Sequence, residues 1–297
     1  MRDQNESFSR SALRQKRSPN GSISRWLAFF CSIALFLFAV TYSLNKTVFN
    51  ADTAVNEITK SVYVNEATDT LNQVVTSLAV QNNIPSTLAE NLLTKDQVKT
   101  DLGTLTRNVY AGKNVLLDTD DVKNQIGQNI EQKAQGAGLT TNNTIYQSAQ
   151  STFLNGLGEY LTKKIDETPA RKLADILSST VKINRIILFG SLLATIILFL
   201  LQILSARNFW RWLHYIGLSA LISGIILLVS AFLIGNSAMV SDFAQQAQQA
   251  SGLVDNLLEK AFAQMQLISI WLLIFGAAGF LLGMFRKKVD SMKILNM

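Results

Sequence analysis

The chain of 297 residues contains few of the residues that build most catalytic and metal sites. Its single cysteine, Cys31, excludes an intramolecular disulfide and any zinc or iron–sulfur site made of several thiolates. Its single histidine, His214, excludes a metal centre of several histidines and disfavours Ser-His-Asp or Cys-His catalysis. Three prolines and 16 glycines argue against a collagen-like or Pro/Gly-rich disordered chain. Charged residues make up only 16% of the chain, compared with about 25% in soluble domains.

The chain contains four long apolar segments that are almost free of charged residues. A membrane-spanning helix needs about 20 mainly apolar residues, and the segments 26–44, 183–204, 213–235 and 267–285 meet this requirement. No Asp, Glu, Lys or Arg lies deep in any of them. The first run, with its basic leader, also fits a signal peptide, but its length and its poor cleavage sequence at 40–44 favour a retained anchor. The sequence therefore predicts four transmembrane helices.

Positive charge is distributed unevenly around these spans. The tail 1–25, the link 205–212 and the end 286–297 together carry 12 basic and 3 acidic residues, a net charge of +9, whereas the rest of the chain carries −3. Lys and Arg collect on the cytoplasmic side of short flanks. We therefore expect both termini inside and residues 45–182 outside. The Asn-, Gln-, Thr- and Lys-rich outer region suggests the plasma membrane of a bacterium, and we expect a Gram-positive one.

Residues 45–182 are predicted to be helical throughout. Apolar residues first repeat at spacings of three and four, which is typical of an amphipathic helix, and after a phase shift the pattern continues. The sequence predicts one long helix that continues the first span as far as Asn82-Asn83-Ile84-Pro85. The two stripes are Val48, Ala51, Val55, Ile58 and Val62, then Ala67, Leu71, Val74 and Leu78.

Shorter helices are predicted beyond this point. Thr87-x-x-Glu90 and Thr94-x-x-Gln97 have the capping-box pattern of a helix start. One helix is expected over about 95–110, one from near Asp118 to Gly136, and one over about 143–165. Thr168-Pro169 is typical of an N-cap followed by the first helical residue, and it opens a helix that continues into the second span.

The loop 236–266 has its own apolar stripe and is predicted to form a helix that continues into the fourth span, with a kink near Ser251-Gly252. Three spans would then extend outward as stalks. Apolar stripes in water need cover, either from each other and the short helices or from another protein. The bundle-core candidates are Val55, Ile58, Val62, Val254 and Leu257.

The predicted fold is an all-α membrane protein: four transmembrane helices, a helical extracytoplasmic domain between spans 1 and 2, and helical stalk extensions of spans 1, 2 and 4. The predicted segments are a disordered basic tail (1–25), span 1 (26–44), the outer domain (45–182), span 2 (183–204), a cytoplasmic link (205–212), span 3 (213–235), an outer helical loop (236–266), span 4 (267–285) and a cytoplasmic tail (286–297).

Small residues four apart let helices approach closely, and spans 2, 3 and 4 each contain such a pair. We expect these pairs to pack within the four-span bundle, although a GxxxG face can also join two copies of a chain. The helix-packing candidates are Gly190 and Ala194, Ala220 and Gly224, and Gly279 and Gly283.

No nucleotide, zinc-protease, hydrolase or redox motif occurs. The acidic run Asp118-x-Asp120-Asp121 lacks the later ligands of a calcium loop and instead suits a helix start. We expect His214 to be a passive interfacial residue. The sequence therefore predicts a protein that is not an enzyme, with no cofactor, metal site or bound nucleic acid. Its predicted partners are the lipid bilayer and a protein partner or second copy, bound through the stalks or the GxxxG face.

Two function classes follow from this pattern. The first is a non-enzymatic membrane protein whose outer helical bundle binds a partner or scaffolds an envelope complex. The second is a transport-related or signal-transmitting subunit, since the order of spans resembles, in topology only, the permease subunits of ABC systems. The short link 205–212 departs from those permeases, because it offers little surface for a coupling helix.

Overall fold

The computed structural model describes residues 20–167, 170–206, 209–246 and 251–295, and these form helices joined by short turns. They divide into two compact units. The span unit holds the described residues up to Asn45 and from Asn184 onward, and the helical domain is Lys46–Ile183. The helices are α1 (Asn20–Lys46), α2 (Ala51–Ile58), α3 (Ser61–Gln81), α4 (Ser86–Ala89), α5 (Lys95–Ala111), α6 (Thr119–Gly136), α7 (Thr144–Glu167), α8 (Ala170–Ala206), α9 (Phe209–Gly235), α10 (Ala238–Gln246) and α11 (Ser251–Leu295).

Four helices of the described chain are long and apolar enough to cross a membrane: Ile23–Lys46 in α1, Ala174–Ala206 in α8, Phe209–Gly235 as α9 and Ser251–Met284 in α11. They confirm the predicted all-helical class and point to a membrane protein. Two of them extend into segments predicted to be tails, since α1 begins at Asn20 and α11 continues to Leu295.

The stretch from the first span to Gln81 is divided into three helices, α1, α2 and α3, so the prediction of one long helix is wrong. Asn50 caps α2, and its Oδ1 accepts a hydrogen bond from the Thr53 backbone N–H at 3.0 Å. Lys60 has extended backbone angles and precedes α3. An Asn side chain at this position satisfies an N–H group that a helix start leaves without an intrahelical partner, and the apolar spacing concealed this signal.

The break at Lys60 also shifts the buried face of the next helix. The face of α3 that is buried consists of Val64, Thr68, Asn72, Val75 and Ala79, whereas Val62 is 68% exposed. The expectation that Val62 belongs to the bundle core is therefore wrong, because the new helix sets its own phase. Asn72 is tolerated in the core since its amide exchanges two hydrogen bonds with the Leu93 backbone, at 2.9 and 3.1 Å.

The helical domain has a continuous apolar core of its own. Phe153 and Leu157 of α7 pack against Ile126 and Ile130 of α6 and against α3, α4 and the start of α5. The buried members of this core are Val75, Ala79, Ile84, Leu88, Ala89, Leu92, Leu93, Val98, Val122, Ile126, Ile130, Phe153, Leu157 and Leu161. Burial of each large aliphatic or aromatic side chain contributes about 1.5–3 kcal/mol, so this core stabilises the domain.

Several helix ends follow the predicted local chemistry. Thr94 and Gln97 form the predicted capping box, α5 ends at Gly112 in the left-handed conformation, and Asp118 caps α6. The predicted capping box Thr87-x-x-Glu90 is wrong, because Glu90 follows the four-residue helix α4 rather than lying inside it. Thr168 and Pro169 lie outside the described residues.

The described residues of the loop between spans 3 and 4 include helix on both sides of residues 247–250, in α10 (Ala238–Gln246) and at the start of α11 (Ser251–Leu295). The single helix with a kink near Ser251-Gly252 stays a prediction, because it depends on residues 247–250. Residues 247–250, including Ala247 and Ala250 of the predicted stripe, lie outside the described residues. Both helices belong to the span unit and not to the helical domain.

Candidate functional site

In the described span unit, α9 and α11 cross in close contact at several glycines. A Cβ atom on Gly217 would lie 2.7 Å from the carbonyl carbon of Gly279 and 2.8 Å from the carbonyl oxygen of Gly276. A Cβ on Gly283 would lie 2.6 Å from the His214 Cβ. Such distances leave no room for a side chain, so the two backbones touch directly.

The predicted packing residues divide into two groups. Gly224, Gly279 and Gly283 face neighbouring helix atoms within the α9–α11 crossing, and Ala220 is buried. Gly190 is exposed and a Cβ there would meet no atom within 4 Å, while Ala194 is half-buried. The pair in span 2 thus takes no part in close packing inside the described chain.

The sequence reasoning missed two glycines of this crossing, Gly217 and Gly276. A signal for both was present, because Gly217 and Gly224, and likewise Gly276 and Gly283, stand seven residues apart. Residues seven apart lie on one helix face after two turns. A search restricted to a spacing of four could not find these pairs.

Helix α1 contributes small buried residues that the sequence reasoning also missed. Ala28 and Cys31 are at most 1% exposed, and Ala39 packs against Leu227 and Ala231 of α9. The Ser219 hydroxyl of α9 donates to the Ala28 carbonyl at 2.9 Å. Small side chains at α1 thus let α9 approach closely enough for a side-chain to backbone hydrogen bond.

Two polar contacts join α1 to α8. The Asn184 Nδ2 donates to the Thr41 carbonyl at 3.1 Å, and the Ser24 and Ser205 hydroxyl oxygens are 3.0 Å apart. These contacts lie near opposite ends of the two spans. Hydrogen bonds between spans contribute about 0.6–2 kcal/mol each. The two contacts therefore fix the relative register of α1 and α8 but supply only a small part of the stability of the span unit.

His214 lies in the α9–α11 crossing. Its ring stacks on Phe280 with the ring centres 4.6 Å apart, and its Nδ1 lies 3.4 Å from the Phe280 carbonyl oxygen. The ring is half-buried. The contact gives His214 a packing role beside Gly283, which the sequence did not indicate.

Gln202 of α8 is a polar side chain buried in a span. It is 1% exposed, and among the described residues nothing hydrogen-bonds to its Nε2 or Oε1. An unsatisfied buried polar group costs about 1–3 kcal/mol.

We therefore expect Gln202→Met, which keeps the length of the side chain and removes its polar atoms, to stabilise the protein. The thermal unfolding midpoint of the detergent-solubilised full chain should rise, and Gln202→Glu should lower it because a buried charge is costlier. A lower midpoint for Gln202→Met would show that the amide makes a stabilising contact.

The predicted bundle-core residues lie in both units. Val55 is 7% exposed in the helical domain and Ile58 is half-buried there, whereas Val62 is on the surface. In the span unit Leu257 is 7% exposed and Val254 is half-buried. Val55 packs beside Gly103 of α5, and a Cβ on that glycine would lie 3.6 Å from its Cγ1. Burial of Val55 is therefore explained within the domain by α5.

In the helical domain, Asp101 of α5 and Gln125 of α6 form a hydrogen-bonded pair between the two helices. Burial raises the pKa of the Asp101 carboxyl, and the nearby Asp121 carboxylate raises it further, while the hydrogen bond from Gln125 opposes the shift. The Gln125 Oε1 is itself buried without a partner in the described chain. The site thus holds a carboxylate in surroundings that favour its protonated form.

We expect Asp101→Asn to stabilise the helical domain at neutral pH. The pKa of Asp101 is higher in the folded state than in the unfolded state. The contribution of Asp101 to the stability of the domain is therefore fully present below the unfolded-state pKa, near 3.8. This contribution is lost as the pH rises through the folded-state pKa. Asn cannot ionise, and it adds an N–H donor beside Gln125. The gain should be below about 1 kcal/mol, because solvent screens a half-exposed group.

Urea unfolding of the full chain in detergent at several pH values, followed by far-ultraviolet circular dichroism, measures this effect. The gain of Asp101→Asn should shrink as the pH falls toward 4, and Asp69→Asn on the exposed face of α3 serves as the control. An equal gain at every pH would contradict the assignment.

An open cleft of ≈ 620 Å³ lies between α6 and α7. Thr119, Lys123, Glu159, Lys163 and Asp166 are among its lining residues, so both charge signs are present. Lys123 forms an ion pair with Asp120 at 2.5 Å. In the described ranges, no group of three or more His, Cys, Asp or Glu side chains is placed to hold a metal ion.

No family model, curated protein or solved structure matches this chain. The four span helices point to a membrane protein. Everything further about its role therefore depends on the geometry of its own two units.

Proposed function

We propose that the chain is a non-enzymatic integral membrane protein of the plasma membrane whose helical domain, on the extracytoplasmic side, binds a protein partner or scaffolds an envelope complex. The observation that carries the proposal is the separate apolar core of the domain, from Val75 to Leu161, which makes Lys46–Ile183 a folded body distinct from the spans. A folded body of this size provides a stable surface for recognition.

The uneven distribution of positive charge supports the proposed orientation of the helical domain in the membrane. The three basic flanks carry a net charge of +9, and Lys and Arg next to spans favour the cytoplasmic side. Both termini are then cytoplasmic and the helical domain faces outward. The bacterial, Gram-positive setting is the one that the composition favours.

Impermeant thiol labelling of intact cells tests this orientation. In a Cys31→Ala background, cysteines at Asp120 and Ala250 should react, and cysteines at Arg10 and Met292 should react only after the cells are opened. Labelling at residue 10 or residue 292 in intact cells would overturn the orientation.

The turn between α6 and α7 is the best candidate for the partner surface. Leu139 is 48% exposed and Ile145 is 79% exposed on either side of this turn, while the neighbouring Tyr146 packs against the core. Exposed aliphatic side chains on a rigid support are typical of protein contacts when they are adjacent. The proposed surface therefore consists of Leu139, Ile145 and the turn between them.

Crosslinking followed by purification of the full chain in mild detergent tests the partner. We expect an envelope protein to co-purify and to be lost from the Leu139→Ser/Ile145→Ser variant, but retained by Val62→Ser, whose side chain is 68% exposed elsewhere on the domain. Equal recovery from both variants would exclude this turn as the surface.

The alternative is a transport-related or signal-transmitting subunit. One observation favours it: α8 is a single helix from Ala170 to Ala206, so it belongs to the helical domain at its start and to the span unit at its end. A continuous helix can pass movement between the two. A co-purifying ATPase in the same experiment would favour this alternative.

A further inference from the structure

The end of α5 makes three contacts to segments that are continuous with spans 1 and 2. The Tyr110 hydroxyl donates to the Val48 carbonyl at 2.7 Å. Gly112 lies against Ser178 of α8, and the Arg171 Nη2 of α8 donates to the Asn114 carbonyl at 3.0 Å. All three contacts lie within the helical domain.

The donor in the contact at Val48 stays protonated across the physiological pH range. Burial raises the pKa of Tyr110 to about 12, so the phenol keeps its proton and remains a donor. Val48 follows the last residue of α1, Lys46, by two positions. The hydrogen bond therefore holds the chain immediately after span 1.

The contact at Ser178 requires glycine. Gly112 has a φ of +63°, which L side chains rarely adopt. A Cβ there would lie 2.7 Å from the Ser178 Oγ and 2.8 Å from its Cβ. Ser178 stands six residues before Asn184 in the uninterrupted helix α8, which continues as span 2.

The other end of α5 is fixed in the core of the domain. Val98 is 1% exposed in that core, and the capping box of Thr94 and Gln97 closes the first turn. The Asn129 Nδ2 of α6 donates to the Leu92 carbonyl at 2.5 Å just before α5. One helix thus connects the domain core to the two segments that adjoin the spans.

We propose that α5 is a mechanical link: a displacement of its C-terminal end, residues 110–114, changes the contact between spans 1 and 2. Energetic coupling between distant sites can be carried by packed side chains, hydrogen bonds and rigid secondary elements, and the contacts of α5 form such a chain. Within the span unit, α1 and α8 meet at Asn184 with Thr41 and at Ser24 with Ser205. The link needs no protein partner, so it goes beyond the proposed binding role, and it can be tested independently of that role.

A disulfide pair at the far end of the spans measures the coupling. In the full chain in lipid nanodiscs, with Cys31→Ala, the Ser24→Cys/Ser205→Cys pair replaces two hydroxyl oxygens that are 3.0 Å apart. Its rate of disulfide formation under a mild oxidant reports the approach of α1 to α8. A second chain with Asn114→Cys/Arg171→Cys reports the local contact of the α5 end through its rate of crosslinking by a short bifunctional thiol reagent, whose linker replaces the long Arg171 side chain.

Gly112→Ala should slow crosslinking at both pairs, with about a 5-fold change in the rate of disulfide formation at residues 24 and 205, the lower bound of typical coupling between sites. Gly136→Ala is the matched control, because a Cβ there meets no atom within 4 Å and both rates should stay at the wild-type value. A slowed local pair with an unchanged pair at 24 and 205 overturns the proposal, as does an unchanged rate at both pairs.

Tyr110→Phe provides an independent variant should Gly112→Ala lose the protease resistance of the domain. It removes only the hydroxyl that bonds Val48 and keeps the ring. It should also slow the pair at 24 and 205, and a wild-type rate in a protease-resistant domain would refute the link.

Discussion

Gly217→Ala is expected to force α9 and α11 apart and to give the largest loss of stability in the span unit. The added methyl group would meet the backbone of Gly276 and Gly279, at 2.8 and 2.7 Å. Backbone atoms cannot rotate away as the end of a side chain can. Overpacking typically costs about 1–3 kcal/mol, and we expect the upper end of this range here. The thermal midpoint of the detergent-solubilised chain should fall by several degrees.

Gly190→Ala is the matched control, since the same change is made in a span where no atom lies within 4 Å of the new Cβ. It should leave the midpoint unchanged or raise it slightly, because Ala exceeds Gly in helix propensity by about 1 kcal/mol. If Gly190→Ala destabilises as much as Gly217→Ala, span 2 has a close helix neighbour outside the described chain, such as a second copy.

Phe153→Ala is expected to unfold the helical domain and to leave the spans intact. Phe153 is 0% exposed at the centre of the domain core, and truncation of a buried Phe to Ala costs about 3–5 kcal/mol. The core is confined to the domain, so the loss should be confined as well. Limited proteolysis of the full chain in membranes should no longer yield a protected 46–183 fragment. The disulfide pair at residues 24 and 205 should still form, but at the reduced rate expected when the α5 contacts are lost.

Ile145→Ala removes an apolar side chain of the same helix that is 79% exposed, and it should keep wild-type protease resistance. The prediction for Phe153 fails if the variant retains the protected fragment, or if the disulfide pair is lost together with it. The second result would mean that the two units unfold as one.

Features that depend on a few neighbouring residues were predictable. Thr94 and Gln97 cap α5, Gly112 ends it, and Asp118 caps α6, as their sequence neighbours indicate. Each of these contacts closes within four residues, so no distant partner is needed. Asn50 shows the same chemistry, but the apolar spacing around it outweighed the capping signal in the sequence analysis.

Features that depend on how a helix is rotated were not predictable. Val62 continues an apolar spacing but is exposed, whereas Val64 and the polar Asn72 are buried. The break before α3 changed its rotation, and Leu93 supplied the backbone groups that satisfy Asn72. The same holds in the spans, where Gly190 is open and Gly217 is enclosed although both are small residues in apolar helices.

The sequence by itself determined the four spans, the helical class and the main helix ends of the domain, because transfer of an apolar run from water and capping of a helix both depend on contiguous residues. Only the tertiary structure decided which glycines form the α9–α11 crossing and that α5 contacts both Val48 and Ser178. Each of these depends on atoms far apart in the chain, and the rotation and approach of the helices bring those atoms together.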